Sequence, residues 1–201
     1  MQNEEIDIEA LKNDKEFMEN LRLLEQEMKS ENSIAKGYQV LDAKLAMEES
    51  EDDINDIFTF IVNTAFDKLS DYLTVYKKFD MSDAEDFATA RAIYEHGIQR
   101  YSENDKKGAK EIFLVLYHMI EIDDLRDAMM VHACAVMAGN SFEKFMDEFV
   151  DITDLDPNDP MSYFITEFAQ PTHMLLAMFG NYVAEGKKEL EVLEKKEDSG
   201  A

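Results

Sequence analysis

Apolar residues form two kinds of stripe along this chain. In the first 50 residues they are sparse and seam-like. Phe17, Leu21, Leu24 and Met28 are spaced four, three and four apart, and Ile34, Tyr38, Leu41 and Leu45 repeat that spacing. Each set makes a narrow seam on an otherwise polar helix. A seam of this length is not stable alone, so it must be covered by the rest of the chain, a second copy or a partner. Ser30 to Ser33, SENS, separates the two seams, and Glu48 to Asp53, EESEDD, reads as a solvated linker or the acidic start of the next helix. From Ile54 the stripe widens. Ile54, Ile57, Phe58, Ile61, Val62, Ala65, Phe66, Leu69, Tyr72, Leu73, Tyr76 and Phe79 recur at helical spacing, as expected of a globular core.

Further on, capping and turn signals divide the chain into short helices. Ser82 and Glu85 stand at capping-box spacing, so a helix is expected from about Asp83 to Glu103. The turn ENDKKG leads to a helix over Lys107–Ile122, packed through Ala109, Ile112, Phe113, Leu116 and Ile120. Another covers Leu125–Ala138 and ends at Gly139-Asn140, a C-cap signal. Ser141 caps a helix expected to reach about Leu155. Pro160, behind Asp159, stands at a helix start, where its missing N–H costs nothing.

Composition agrees with an all-α protein. The 201 residues include only 7 Gly and 3 Pro, too few breakers for the many turns of a sheet. Hydrophobic residues make up 45%, enough for a sizeable core. The net charge of −25 disfavours nucleic acid and anionic lipid as partners and favours solubility. The single cysteine, Cys134, allows no intrachain disulfide and suits a reducing, cytoplasmic setting. It reads as a buried structural thiol. The acidic start has no apolar signal region, and the longest apolar runs, Ile112–Tyr117 and Met174–Phe179, are too short to span a bilayer.

Site chemistry is sparse. His96, His118, His132 and His173 lack a Glu three residues before them and form no His-x-x-x-His pair, so no metal is expected. Neither an EF-hand loop nor a glycine-rich phosphate loop is present. A non-enzyme without a cofactor is expected.

From about residue 90, paired helices with short turns recur at a period of about 34 residues. Three units fit, roughly 90–123, 126–159 and 160–193. Gly97 lies where two helices must approach closely, and Ala133, Phe149 and Pro157 take the small, aromatic and terminal-proline places of the second unit. With LDPNDP at Leu155–Pro160 joining two units, the pattern resembles the tetratricopeptide repeat. It departs from it at Phe145, where Ala is usual, at EIDD, which lacks the proline, and at Pro171, inside the third unit.

Ile93 to Met119, Ala133 to Phe145 and Leu155 to Phe168 more specifically resemble the class II chaperones of type III secretion systems, over about residues 85–190. The resemblance implies a curved solenoid of three helical hairpins behind an N-terminal helical region. It also implies a bacterial cytoplasmic chaperone that keeps a hydrophobic secreted translocator soluble and secretion-competent. The corresponding organisation is an acidic helical arm (1–53), a core helix with the start of a capping helix (54–89), the repeats (90–193) and a disordered tail (194–201). The first helix of each hairpin would line a concave groove with Tyr94, Ile98, Tyr101, Met130, Cys134, Met137, Phe164 and Phe168. Such a groove suits an extended apolar peptide. Glu at Tyr94 or Met137 would then abolish partner binding and leave helicity intact. Self-association through residues 1–80 is expected from the uncovered seams. The alternative is a generic repeat scaffold for polar partners; a ligand-binding or enzymatic helical domain ranks below both.

Overall fold

The computed structural model describes residues 8–153, 156 and 159–199. The chain divides into two compact units, residues 1–70 and 71–201. This boundary differs from those expected near residues 53 and 89, because one long helix runs through both the first expected junction and the unit boundary. Ten α-helices form the architecture among the described residues, with isolated bridges in place of strands.

In the first unit, α1 (Ile8–Asn13), α2 (Lys15–Glu31) and α3 (Ile34–Ala46) precede α4 (Glu51–Thr74). Asp14 caps α2 by accepting from the Glu16 and Phe17 amides, and Ser33 caps α3 through Lys36 N–H. Between them Asn32 adopts the left-handed conformation, φ 51° and ψ 42°, at the break expected in SENS. The two seams are largely covered within this unit. Leu21, Met28, Ile34, Tyr38 and Leu41 are buried, whereas Leu45 is 50% exposed. The acidic run begins α4, where carboxylates oppose the positive end of the helix dipole.

The second unit contains α5 (Ala84–Ser102), α6 (Lys106–Met119), α7 (Asp123–Met137), α8 (Phe142–Phe149), α9 (Thr172–Met178) and α10 (Gly180–Ser199). Asp83, not Ser82, caps α5, accepting from the Glu85 and Asp86 amides; Ser82 instead bonds to Asp80. Helix α7 is apolar nearly all round and is accordingly enclosed, with α6, α9 and α10 packed on it. The close approach expected at Gly97 is present. A Cβ there would lie 2.8 Å from Ile112 and 3.0 Å from Phe113, across the α5–α6 contact. Gly97→Val should therefore destabilise the protein by about 1–3 kcal/mol, the usual overpacking cost. A urea titration checks this; an unchanged midpoint would show that Ile112 and Phe113 yield freely.

Helices α5 and α6 fall where two consecutive helices are expected, but the later elements differ. Helix α8 stops at Phe149, because Val150 turns extended, φ −95° and ψ 139°, and bridges antiparallel to Phe168. Pro160 starts a 3-10 turn over Pro160–Tyr163, with Asp159 accepting from Met161 N–H, and not the long helix expected there. The chain then runs without helix, bending at Phe164 and again at Ala169–Gln170, until Pro171 precedes α9. In place of the third expected hairpin, a short α9 leads through Phe179 directly into the long α10, which continues to Ser199 through the segment expected to be a tail. Leu155 and Pro157 lie outside the described residues.

Candidate functional site

The most organised polar and aromatic chemistry in the second unit surrounds His132 on α7. Its Nδ1 is 2.7 Å from the Ala128 carbonyl, which can only accept, so Nδ1 carries the hydrogen. Nε2 is then an acceptor, and the Tyr94 hydroxyl donates to it over 3.1 Å. The Tyr94 oxygen in turn accepts from Ile165 N–H at 3.0 Å. A directed chain of hydrogen bonds thus links the extended segment to α5 and then to α7.

Aromatic rings enclose this chain. His132 lies 5.0 Å from Phe113, 4.9 Å from Phe145 and 5.5 Å from Tyr94, centroid to centroid. Complete burial drives its pKa down to about 4, since no charged partner compensates the imidazolium in this cage. Burial likewise pushes the Tyr94 hydroxyl well above its ordinary value and the Cys134 thiol up to about 12.

The extended segment, here called the strap (residues 164–169), seats itself on this cluster. Phe164 packs 5.1 Å from Tyr94 and edge-on to Phe87 at 5.7 Å. Phe168 approaches His132 at 6.0 Å and Phe145 at 6.4 Å. Residues four apart on an extended chain face the same side, so one face of the strap delivers both rings. Its C-terminal half is held by two backbone bonds, Asp151 N–H donating to Glu167 O at 3.1 Å and Ala169 N–H to Phe149 O at 2.9 Å.

The eight residues expected to line an open groove take different positions. Tyr94, Tyr101, Met130, Cys134 and Phe164 are all buried in the core, at most 2% exposed, and line no open groove in this structure. Ile98, Met137 and Phe168 are half-buried. The reason is internal coverage. On the methionine face of α7, α10 comes close at Gly186, where a Cβ would be 2.9 Å from Leu114 and 3.5 Å from both Met130 and Met137. On the Tyr94 face, Phe164 and Phe168 are themselves the covering residues. Tyr101 donates to the Asn140 carbonyl at 3.2 Å, meets Phe142 edge-on and lies tilted against Phe145. His132, Phe113, Phe145 and Phe87 complete the cluster and were not among the expected residues. One sequence signal for His132 was available: a single imidazole within the apolar run MMVHACAVM.

The buried thiol of Cys134 should be inert in the native protein, since the thiolate is the reactive form and is strongly disfavoured here. A thiol reagent should modify it only at the rate of unfolding; rapid stoichiometric labelling without denaturant would contradict this placement.

Among the described residues, no group of three or more His, Cys, Asp or Glu is arranged to hold a metal ion. No described helix is long and apolar enough to cross a membrane. Compared with family models, curated proteins and solved structures, the chain matches none.

Proposed function

We propose that this all-α protein is a non-enzymatic binding module that holds an extended apolar segment of another protein, in the manner of a translocator chaperone. The observation that carries this reading is the seat for extended chain in the second unit. It combines backbone bonds at Phe149 and Asp151 with ring contacts from α5, α7 and α8. Paired backbone gives affinity without sequence demands, and aromatic anchors add selectivity. A surface carrying a net charge of −25 would keep the complex of such a protein with an apolar partner dispersed. A hydrophobic secreted translocator, handled in a bacterial cytoplasm, is the partner class that the sequence resemblance suggests. Self-association through residues 1–80 belongs to the same reading; with the seams largely covered, it would rest on the exposed Met18, Leu23 and Leu45.

The test is affinity capture of the tagged full chain from its native cells, followed by mass spectrometry and co-expression of what is found. Near one-to-one recovery of an apolar protein that is insoluble without this chain supports the proposal. Recovery of polar, independently folded partners favours the alternative, a general scaffold.

A further inference from the structure

We infer that the strap is a built-in stand-in for the partner: residues 164–169 occupy the binding seat, and a partner enters by displacing them with an extended segment bearing two aromatic residues four positions apart. The inference rests on the binding-module reading above and specifies the ligand and the resting state of that same site.

Three observations carry it. First, the strap is held as a bound peptide is held. Beyond Phe164, whose N–H still closes the 3-10 turn on the Met161 carbonyl, its backbone bonds run to Phe149, Asp151 and the Tyr94 hydroxyl, outside any helix ladder. Second, the seat is composed of other elements: Phe87 and Tyr94 on α5, His132 on α7 and Phe145 on α8. A segment from another chain with the same pattern could make the same contacts. Third, the strap's opposite edge is open. Glu167 and Ala169 face solvent and Ile165 and Thr166 are only half-buried, while next to the strap the Arg91 guanidinium lies 3.5 Å over the Tyr163 ring. Phe164 and Phe168 would be the two anchors to imitate, about 13 Å apart along an extended chain.

An intramolecular occupant has an effective concentration in the millimolar range or above. Free peptide should therefore bind the resting protein weakly and a strap-weakened protein well. Ile165→Pro/Ala169→Pro in the full chain removes two strap N–H donors and keeps both phenyl rings. Phe164 already has φ −107° and ψ 137°, a conformation that tolerates a following proline.

A fluorescent peptide of residues 160–171, PMSYFITEFAQP, is titrated into wild type and variant, alongside a control peptide with both Phe replaced by Ser. The expected result is at least tenfold tighter binding of the Phe peptide by the variant and no binding of the control by either protein. A folded variant that binds no better than wild type, or equal binding of the two peptides, overturns the inference. If the variant loses its helicity, hydrogen exchange on wild type decides. Saturating Phe peptide should speed exchange at the Ile165 and Ala169 amides and leave the α7 amides unchanged; no change at Ile165 and Ala169 overturns it. A captured partner whose binding the Phe peptide does not reduce would overturn this inference while leaving the binding-module reading intact. Absence of any partner would remove that reading as well.

Discussion

Tyr94→Glu should unfold the second unit. Tyr94 is 2% exposed and touches Phe113, His132 and Phe164 with its ring, while its hydroxyl both donates to His132 and accepts from Ile165. A carboxylate there would lose its hydration with no cation to replace it, and the ring's packing would vanish. Losing an aromatic core side chain alone costs about 3–5 kcal/mol, and an unpaired buried charge adds several more. That sum is comparable to the whole stability of a domain, about 5–15 kcal/mol. This reverses the expectation, drawn from helix phase alone, that the substitution would spare helicity and affect only binding. Tyr94→Phe is the informative companion. It keeps the ring and removes only the hydroxyl, leaving His132 Nε2 and Ile165 N–H unsatisfied, for a loss of about 1–3 kcal/mol. Far-UV circular dichroism with urea titration measures both. A Tyr94→Glu protein with the wild-type midpoint would show that Tyr94 is not a core residue in solution.

The second large effect is loss of stability in mild acid through His132. Its folded pKa is depressed to about 4, against an ordinary value of 6.5. The group therefore binds fewer protons folded than unfolded between those values. Its contribution is fully present above pH 6.5 and is lost as pH falls towards 4. Over the whole window the loss is about 3 kcal/mol. The physical event is specific. A proton on Nε2 turns that atom into a donor and puts a charge inside a ring of Phe113, Phe145 and Phe168. The Tyr94 hydroxyl must then accept from it, and its own hydrogen loses its acceptor. Carboxylates titrate nearby in pH on so acidic a chain, so the comparison is with His132→Gln, which keeps an acceptor and does not titrate. Between pH 6.5 and 4.5 the unfolding constant of wild type should rise relative to the variant by roughly fortyfold in all, about sixfold per pH unit. Parallel stability curves for the two proteins would mean that His132 is not buried neutral in the native state.

Much of the helical framework was legible locally. The break between the seams, the turn before α6, the Gly139 stop and the Ser141 cap depend on neighbours within a few residues, and they appear where expected. Two local expectations failed for identifiable reasons. Ser82 lost the cap of α5 to Asp83, whose carboxylate accepts two amides at once. Helix α8 ended early because Val150 gained an antiparallel pairing with Phe168, eighteen residues on in the same chain, which no local propensity encodes.

The site was legible only as a set of apolar positions. Tyr94 on α5 and Met130, Cys134 and Met137 on α7 were expected to line one face of a groove, but periodicity does not say what covers a face. An apolar face is equally satisfied by a partner or by the chain's own later residues, and burial free energy depends on area removed from water, whatever removes it. Residue order and spacing thus determined an all-α chain, the caps and breaks of its helices and the sides on which they are apolar. Only the tertiary structure decided that α10 and the strap cover those sides and that His132 stands at the centre of the cluster. These outcomes follow from pairings such as Val150 with Phe168 and Tyr94 with Ile165, whose partners lie far apart in the chain and meet only once the helices have packed.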